Sequence, residues 1–399
     1  MNDKPAFLPE PVADPATLGF SAARLGRIRE RLAADVDAGF LPGAVWLVAR
    51  RGRIACFEAI GRRNPGTPDP MAPDSIFRIY SMTKPIVSLA ALMLLERGLL
   101  KIGDPVAEII PAFADTPVAE ERDGKLELRP PRRPMTVQDL LRHTSGLTYE
   151  FLGPGEVRRR YDEVRIASRR RTNEEFCNEL AKIPLLVDPG TAWEYSRSTD
   201  VLGRVVEVVS GKPLGVFLAD EIFGPLGMVD TGFSVPEAAH GRIAEPFASD
   251  PDTGASVSLL DPRVVPSFES GGGGLISTAL DYARFLQMMH DGGRSADAGL
   301  LGRKTCEWMV ADHLGNIPSV CDVLTPGYGF GLGFSVRLAD GIADSPGSAG
   351  QYLWGGIAGT TFWVDPRESL FAVLLTQAPG RRNFYRALFR NLVYQALDD

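Results

Sequence analysis

The chain has 399 residues, of which 44% are hydrophobic and 23% are charged. This composition is typical of a globular protein with enough apolar residues for one large domain or two packed domains. The formal net charge of −7 argues against a nucleic-acid partner, because proteins that bind nucleic acids favour a strongly basic balance.

The N-terminal part predicts a surface arm, a helix and a hairpin. The first twenty residues are rich in proline and acid, and they lack the basic region and apolar core of a secretory signal, so we expect a cytoplasmic protein. Ser21 is the expected N-cap of a helix that Gly39 closes. Two strand-like runs, 44–49 and 54–59, are joined at Arg51-Gly52 and predict a β-hairpin. The helix between Ser21 and Gly39 has an apolar face that consists of Leu25, Ile28, Leu32 and Val36.

Ser81-Met82-Thr83-Lys84 is an S-x-x-K motif, the pattern of active-site serine enzymes that activate their nucleophile with lysine. Residues three apart lie on one helical face, so the Ser81 hydroxyl and the Lys84 amine can meet. The tetrapeptide alone is common in solvated helix turns. Here, however, the helix that follows from Pro85 is apolar almost all round and is expected in the core, where a charge needs partners. The positive end of the helix dipole also suits a developing anion.

The middle of the chain is expected to be loop-rich and helical, and strands return near the C-terminus. Helices are predicted over 136–142, 173–182, 199–209, 213–222, 280–290 and about 383–397. Strands are predicted over 331–337, 360–364 and 370–376. We therefore expect an α+β protein in which residues 1–80 and 300–399 form an antiparallel sheet covered by the first and last helices. Residues 81–299 would form a mainly helical domain, with the active site at the seam.

Several other patterns have plain interpretations. The arginine clusters at 158–160 and 169–171 are interspersed with acids and predict a solvated surface loop or helix. The glycine run at 271–274 lacks the Gly-Lys-Ser/Thr of a phosphate loop and predicts a flexible turn. The four cysteines form no C-x-x-C pair and the four histidines form no metal-binding pattern, so we expect free thiols, no metal and no cofactor. The apolar runs are too short to span a bilayer, so no membrane partner is expected.

G-x-S-x-G is absent, so a serine hydrolase built on this chain is not expected to use histidine as its base. Two other segments could join Ser81 and Lys84. A nearby ammonium would lower the pKa of the Tyr195 phenol and let it pass a proton, although a core tyrosine with a satisfied hydroxyl is the alternative. If Trp354-Gly355-Gly356-Ile357 is the edge strand beside Ser81, its N–H groups could stabilise an oxyanion; a β-bulge or turn is the alternative.

The order of these motifs resembles the serine β-lactamase-like superfamily. It is most similar to the family VIII carboxylesterases, relatives of class C β-lactamases and D-alanyl-D-alanine peptidases. The motifs are SMTK, LRHTSGL (141–147), YS (195–196), GGLISTA (273–279) and WGG (354–356), and the resemblance covers nearly the whole chain. It implies a β-lactamase-like fold in which Ser81 is acylated while Lys84 and Tyr195 transfer its proton. It also implies an oxyanion hole made by the backbone N–H groups of Ser81 and Ile357, and a structural role for His143.

Two departures from the β-lactamase pattern concern the substrate. Arg197 stands where those enzymes carry the asparagine of Tyr-x-Asn, and Trp354-Gly355-Gly356 replaces their Lys-Thr-Gly. Losing that lysine and threonine should weaken the binding of a carboxylate, whereas tryptophan offers an apolar wall that suits neutral esters. The residues expected to bind substrate are Trp354, Gly355, Gly356, Arg197 and Tyr149.

Tyr-Ser followed by Asp200, together with Trp-Gly-Gly, resembles the family VIII variant of these motifs. We therefore predict a serine carboxylesterase that acts on small-molecule esters with short acyl chains and needs no metal or organic cofactor. One alternative is a β-lactamase, D-amino-acid amidase or acyltransferase of the same fold. Another is a non-enzymatic penicillin-recognising sensor, which the presence of all three catalytic side chains argues against. The sequence leaves the oligomeric state open.

Overall fold

One sheet joins strands from both ends of the chain in the computed structural model, which describes residues 12–122, 125–294 and 299–399. The first eleven residues of the predicted arm lie outside the described part. The strands are β1 Gly43–Arg50, β2 Arg53–Gly61, β3 Phe77–Arg78, β4 Val118–Arg122, β5 Lys125–Arg129, β6 Ile276–Ser277, β7 Tyr328–Phe330, β8 Ser335–Arg337, β9 Tyr352–Gly355, β10 Thr361–Asp365 and β11 Leu370–Thr376. The main sheet is antiparallel in the order β2-β1-β11-β10-β9-β8-β7, while β3 pairs with β6 and β4 with β5.

Helices fill the middle of the chain and cover the sheet. They are α1 Ala22–Asp37, α2 Thr83–Glu96, α3 Val106–Ile109, α4 Val137–Leu141, α5 Glu156–Glu163, α6 Asn173–Leu180, α7 Ser198–Ser210, α8 Leu214–Leu218, α9 Gly224–Leu226, α10 Ala279–His290, α11 Arg303–Met309 and α12 Arg382–Tyr394. A π-helical turn, Ala219–Phe223, continues α8. Within the described ranges, none of these helices combines the length and apolar character that a bilayer crossing requires.

Every side chain of strand β1 is buried. Successive side chains of a strand point to opposite sides, so both faces of the sheet are covered at β1. Trp46 belongs to a core that also contains the apolar faces of α1 and α12. Its neighbour Leu47 belongs to a second core, which contains α2 and α10. The predicted antiparallel sheet, with the first and last helices on one side, is therefore confirmed. The domain division at residues 81 and 300 stays a prediction.

The expected N-terminal elements are present at nearly the predicted bounds. The Ser21 hydroxyl accepts a hydrogen bond from the Arg24 N–H and caps α1 as predicted. Arg51 and Gly52 both have positive φ and turn the chain between β1 and β2. Helix α2 begins at Thr83, and its residues are buried from there to Leu94, which agrees with the expected core position.

The C-terminal strands differ from the prediction in two ways. The run 331–337 is interrupted by a turn between β7 and β8, in which the Gly331 N–H donates to the Phe334 carbonyl at 2.7 Å. Gly333 has a φ of +103°, and a Cβ there would lie 2.5 Å from the Ser88 Oγ of α2, so close packing on α2 fixes the turn. Strand β9 lies between β8 and β10, so the Trp-Gly-Gly segment is not the expected edge strand.

Some elements of the fold do not follow from apolar periodicity, and charge pairs stabilise one of them. This element is helix α5, which contains the first arginine cluster. Arg159 and Arg160 each donate to Glu156 on the same helical face. A helix is one of the two predicted forms of this cluster, whereas the β4–β5 hairpin and the helices α3, α9 and α11 are absent from the prediction.

Candidate active site

Ser81 lies in a short turn that precedes helix α2. The residue before it, Tyr80, has a left-handed backbone with φ +43°, a conformation that is costly for a non-glycine residue and is common at functional sites. The Tyr80 hydroxyl accepts a hydrogen bond from the Leu260 N–H at 2.9 Å. The Met82 carbonyl accepts one from the Tyr282 hydroxyl at 2.9 Å. These contacts on both sides of Ser81 fix the turn.

Lys84 is fully buried one helical turn after Ser81. Its Nζ lies 3.3 Å from the Ser81 Oγ, 3.0 Å from the Tyr149 hydroxyl and 2.6 Å from the Gly272 carbonyl oxygen. Burial lowers the pKa of Lys84 to about 7, with a smaller upward influence from Asp200. A large fraction of molecules therefore carries a neutral amine near neutral pH, and that amine can accept a proton.

Tyr195 lies on the loop before α7 and contacts both Ser81 and Lys84. Its hydroxyl shares a hydrogen bond with Ser81, and the Lys84 Nζ lies 4.5 Å from the centre of its ring. Burial raises the pKa of Tyr195 above its ordinary value, and the hydrogen bonds with Ser81 and Trp354 offset only part of the rise. The expected lowering of this pKa is therefore wrong. The phenol stays protonated near neutral pH, and Lys84 carries the lowered pKa.

Tyr149 contacts the lysine directly, whereas the sequence interpretation gives it only a part in substrate binding. Its hydroxyl accepts a hydrogen bond from the Lys84 Nζ, and its ring stacks on Phe151 with centroids 4.7 Å apart. Burial raises the pKa of Tyr149 well above its ordinary value, so it is a neutral partner of the amine. In the sequence, Tyr149 stands out only because it follows the LRHTSGL motif. That position does not predict a contact between Tyr149 and Lys84.

Arg197 lines the cavity, but carboxylates occupy its guanidinium. It forms a salt bridge with Glu150 and lies 3.5 Å from the Asp200 carboxylate. Its guanidinium carbon also lies 4.7 Å from the centre of the Tyr149 ring. The side chain thus supports the tyrosine that contacts Lys84, and its part in substrate binding stays a prediction.

Strand β9 brings the Trp-Gly-Gly segment beside the nucleophile. The Trp354 Nε1–H donates to the Tyr195 hydroxyl at 3.3 Å, so the indole supplies a polar contact as well as an apolar wall. A Cβ on Gly356 would lie 2.4 Å from the Ile79 carbonyl oxygen, so glycine permits direct contact with the strand-to-helix turn. Ile357 lines the same cavity as Ser81. The oxyanion role of the Ser81 and Ile357 N–H groups stays a prediction.

We expect Trp354→Phe to lower kcat/KM for an ester about tenfold, because phenylalanine removes the indole donor to Tyr195. Ring packing should survive, since the rings of Tyr195 and Phe330 each lie 5.3 Å from the Trp354 ring. The change should fall on kcat, because the lost hydrogen bond goes to the phenol. The control is Trp363→Phe, which removes a buried indole N–H from the other core. Steady-state kinetics compare the kcat values of the two variants. Equal kcat values in the two variants would contradict the expected loss.

Ser81 opens onto a cavity of about 1140 Å³, larger than most small-ligand pockets. Arg382, Arg386 and Arg390 of α12 line one wall of it. Among the described residues none of these guanidinium groups has a carboxylate in salt-bridge contact, and burial lowers the pKa of Arg386 to about 10. This wall can therefore offer donors to an anionic group. The described ranges contain no group of three or more His, Cys, Asp or Glu residues placed to hold a metal ion.

Comparisons with known proteins agree with this geometry. The sequence profile of the β-lactamase family matches residues 28–395. The chain is 34% identical to esterase EstB of Burkholderia gladioli over 394 residues, which cover 91% of this chain and 93% of that esterase. It is 30% identical to lovastatin esterase of Penicillium rubens over 374 residues, which cover 86% and 91% of the two chains. The structure of EstCE1, described as a hydrolase with promiscuous acyltransferase activity, matches with a TM-score of 0.78 and 27% identity over 93% of this chain and 99% of that one.

The chain belongs to the β-lactamase family and has the fold of the serine β-lactamase-like superfamily. Within that superfamily it groups with the family VIII esterases, and it is a hydrolase. The resemblance carried by the sequence motifs is thereby confirmed.

Proposed function

We propose that the protein is a carboxylesterase that works through an acyl-serine intermediate on Ser81. The observation that carries the proposal is the buried Lys84 amine, which lies 3.3 Å from the Ser81 Oγ and has a pKa of about 7. A base of this pKa is neutral often enough to take the proton of a hydroxyl and strong enough to hold it. The relatives that are named esterases support ester chemistry.

Acylation begins when the Ser81 Oγ attacks the ester carbonyl carbon and gives its proton to the neutral Lys84 amine. The ammonium that forms is stabilised by hydrogen bonds to the Gly272 carbonyl and the Tyr149 hydroxyl. The backbone N–H groups of Ser81 and Ile357 would hold the oxyanion. Tyr195 then gives its proton to the departing alkoxide and takes one back from Lys84, so the alcohol leaves neutral.

Deacylation repeats the same proton transfers with water as the nucleophile. Water attacks the acyl carbonyl, the amine of Lys84 takes its proton, and the Ser81 oxygen leaves and regains a hydrogen. The carboxylic acid is released and the enzyme returns to its starting state. An alcohol in place of water would give acyl transfer. EstCE1, a solved structure of the same fold, is described as a hydrolase with promiscuous acyltransferase activity.

The proposed substrates are esters with short acyl chains. The apolar face of Trp354 beside Ser81 supports neutral esters, and the size of the cavity leaves room for a larger alcohol part. The cavity would then accept a short acyl part together with a larger alcohol part.

Hydrolysis of a p-nitrophenyl acyl series from acetate upward, beside the cephalosporin nitrocefin, tests the proposal. We expect the highest kcat/KM for the short acyl chains. We also expect at least about 100-fold lower kcat/KM for nitrocefin, because the lysine of Lys-Thr-Gly is replaced by Trp354. Faster cleavage of nitrocefin than of any ester would instead identify a β-lactamase. Better turnover of long-chain triglycerides would contradict the short-chain preference.

The second candidate is a β-lactamase or amidase for substrates that carry a carboxylate. One observation favours it: the arginine wall of α12 offers guanidinium groups where a carboxylate could bind. Arg386→Met separates the candidates in the same assay. A carboxylate-binding wall predicts a larger loss with nitrocefin than with p-nitrophenyl acetate, whereas equal losses would remove the support for this candidate.

A further inference from the structure

The glycine run at residues 271–274, called the glycine turn from here on, packs tightly against α2 and the start of α7. A Cβ on Gly271 would lie 2.4 Å from the Thr199 carbonyl oxygen and 3.3 Å from the Val87 side chain. A Cβ on Gly272 would lie 2.7 Å from the Asp200 Oδ2. The turn predicted to be flexible is thus closely packed in the site, and glycine is needed there because the backbone lies so close to Thr199 and Asp200.

Asp200 holds the glycine turn at Gly272 and also holds Ser270, the residue that precedes the turn. Its buried Oδ1 accepts a hydrogen bond from the Gly272 N–H at 2.9 Å and another from the Ser270 hydroxyl. Its Oδ2 faces the Arg197 guanidinium at 3.5 Å. A buried carboxylate needs such partners, and one of them, Gly272, also contacts Lys84.

The carbonyl of the same glycine reaches the lysine. The Gly272 oxygen accepts a hydrogen bond from the Lys84 Nζ at 2.6 Å, closer than the contacts of that amine with Tyr149 at 3.0 Å and Ser81 at 3.3 Å. A backbone acceptor held on a tight turn cannot change rotamer as a side chain can. It therefore determines where the amine sits relative to the nucleophile.

We propose that Asp200 is a positioning residue of the reaction: it anchors the glycine turn so that the Gly272 carbonyl holds Lys84 at Ser81, and its negative charge offsets the positive charge of Arg197 beside the amine. The inference rests on the proposed function, because it assumes that Lys84 activates Ser81. Asp200 is otherwise a buried acid that the proposed chemistry does not use.

The electrostatic part of the proposal involves every charged or titratable group that faces the amine. Tyr149 and Tyr195 stay neutral because burial raises the pKa of each, and burial keeps the pKa of His143 well below its ordinary value. The charged neighbours that act on the pKa of Lys84 are Asp200, which raises it, and Arg197, which lowers it. The two side chains should therefore have opposite effects on the pH profile.

The test compares Asp200→Asn with Arg197→Met in pH profiles of kcat/KM on p-nitrophenyl acetate. Asparagine keeps the shape and one acceptor oxygen but removes the charge that stabilises the ammonium. We expect the acid limb to move down by about half to one pH unit and the limiting kcat to fall about 10- to 100-fold. Arg197→Met should move the same limb upward, because the amine loses a nearby cation.

Asp281→Asn is the matched control, because Asp281 is also buried and accepts hydrogen bonds from the Asp230 N–H at 2.7 Å and the Thr231 hydroxyl at 3.0 Å. Its acid limb should stay in place. Titration of Ser81 with a fluorophosphonate gives the active fraction of each variant and separates misfolding from mechanism. An unmoved limb in Asp200→Asn, or shifts of the same sign in both variants, would overturn the inference. Wild-type turnover that survives Ser81→Ala would overturn the proposed function instead.

Discussion

Ser81→Ala is expected to lower kcat for p-nitrophenyl acetate by about 10⁴-fold or more, because no acyl-serine can form without the hydroxyl. The Lys84 amine that lies 3.3 Å from this oxygen would have no group to deprotonate. Initial rates of p-nitrophenyl acetate hydrolysis at a high concentration of the variant measure the remaining turnover. Intact mass after treatment with a fluorophosphonate should show one adduct on the wild type and none on the variant.

Ser88→Ala is the matched control for this loss. It removes a buried hydroxyl from the same helix, and that hydroxyl has no hydrogen-bond partner within the described ranges. Its turnover should stay close to that of the wild type, and the circular dichroism of both variants should match it. Ester hydrolysis by Ser81→Ala within tenfold of the wild-type rate would show that another residue is the nucleophile.

Lys84→Met is expected to lower kcat/KM by about 10³-fold at pH 7 while leaving thermal stability unchanged or higher. Methionine removes an amine that burial disfavours, and this gain should offset the hydrogen bonds lost by Gly272 and Tyr149, so the free energy of unfolding should not fall. In the wild type, kcat/KM should rise with pH through about 7, because the neutral amine is the active form and the pKa of Lys84 is lowered to about 7. Kinetics from pH 5.5 to 8.5 and a thermal melt measure both effects.

Lys182→Met provides the control for loss of a lysine, because Lys182 is exposed and pairs with Glu179 at the surface. It should keep the pH profile of the wild type. A wild-type profile that is flat across this pH range would assign the base to a group other than Lys84. So would a Lys84→Met variant with turnover close to normal.

The parts of the site that follow from local rules could be predicted from the sequence. The spacing of Ser81 and Lys84 places both on one helical face whatever the rest of the chain does. The Trp-Gly-Gly segment could be recognised because glycines mark a close backbone approach, although its place inside the sheet could not. The antiparallel sheet follows from strand-like runs at both ends of the chain that need a shared core.

Contacts between distant segments could not be predicted in this way. Tyr149 and Gly272, which both bind the Lys84 amine, lie 65 and 188 residues from it in the sequence. The direction of the pKa shift of Tyr195 depends on burial, which outweighs the hydrogen bonds with Ser81 and Trp354 and is a property of the packed site. The interrupted strand at 331–337 depends on the packing of Gly333 against Ser88.

The pairing of β1 with β11 also bears on how the protein is made. Arg50 pairs with Leu370, more than three hundred residues later, so the β1–β2 hairpin leaves the ribosome long before its second neighbour exists. Until then, β1 has an open edge, and both cores lack the strands and helix that follow later in the chain, which favours aggregation or chaperone binding. Helix α2 packs in the core beneath this sheet, so the nucleophile cannot be held in place before β11 arrives. We therefore expect catalysis only from chains whose synthesis has passed β11, and no activity from translation products that end earlier.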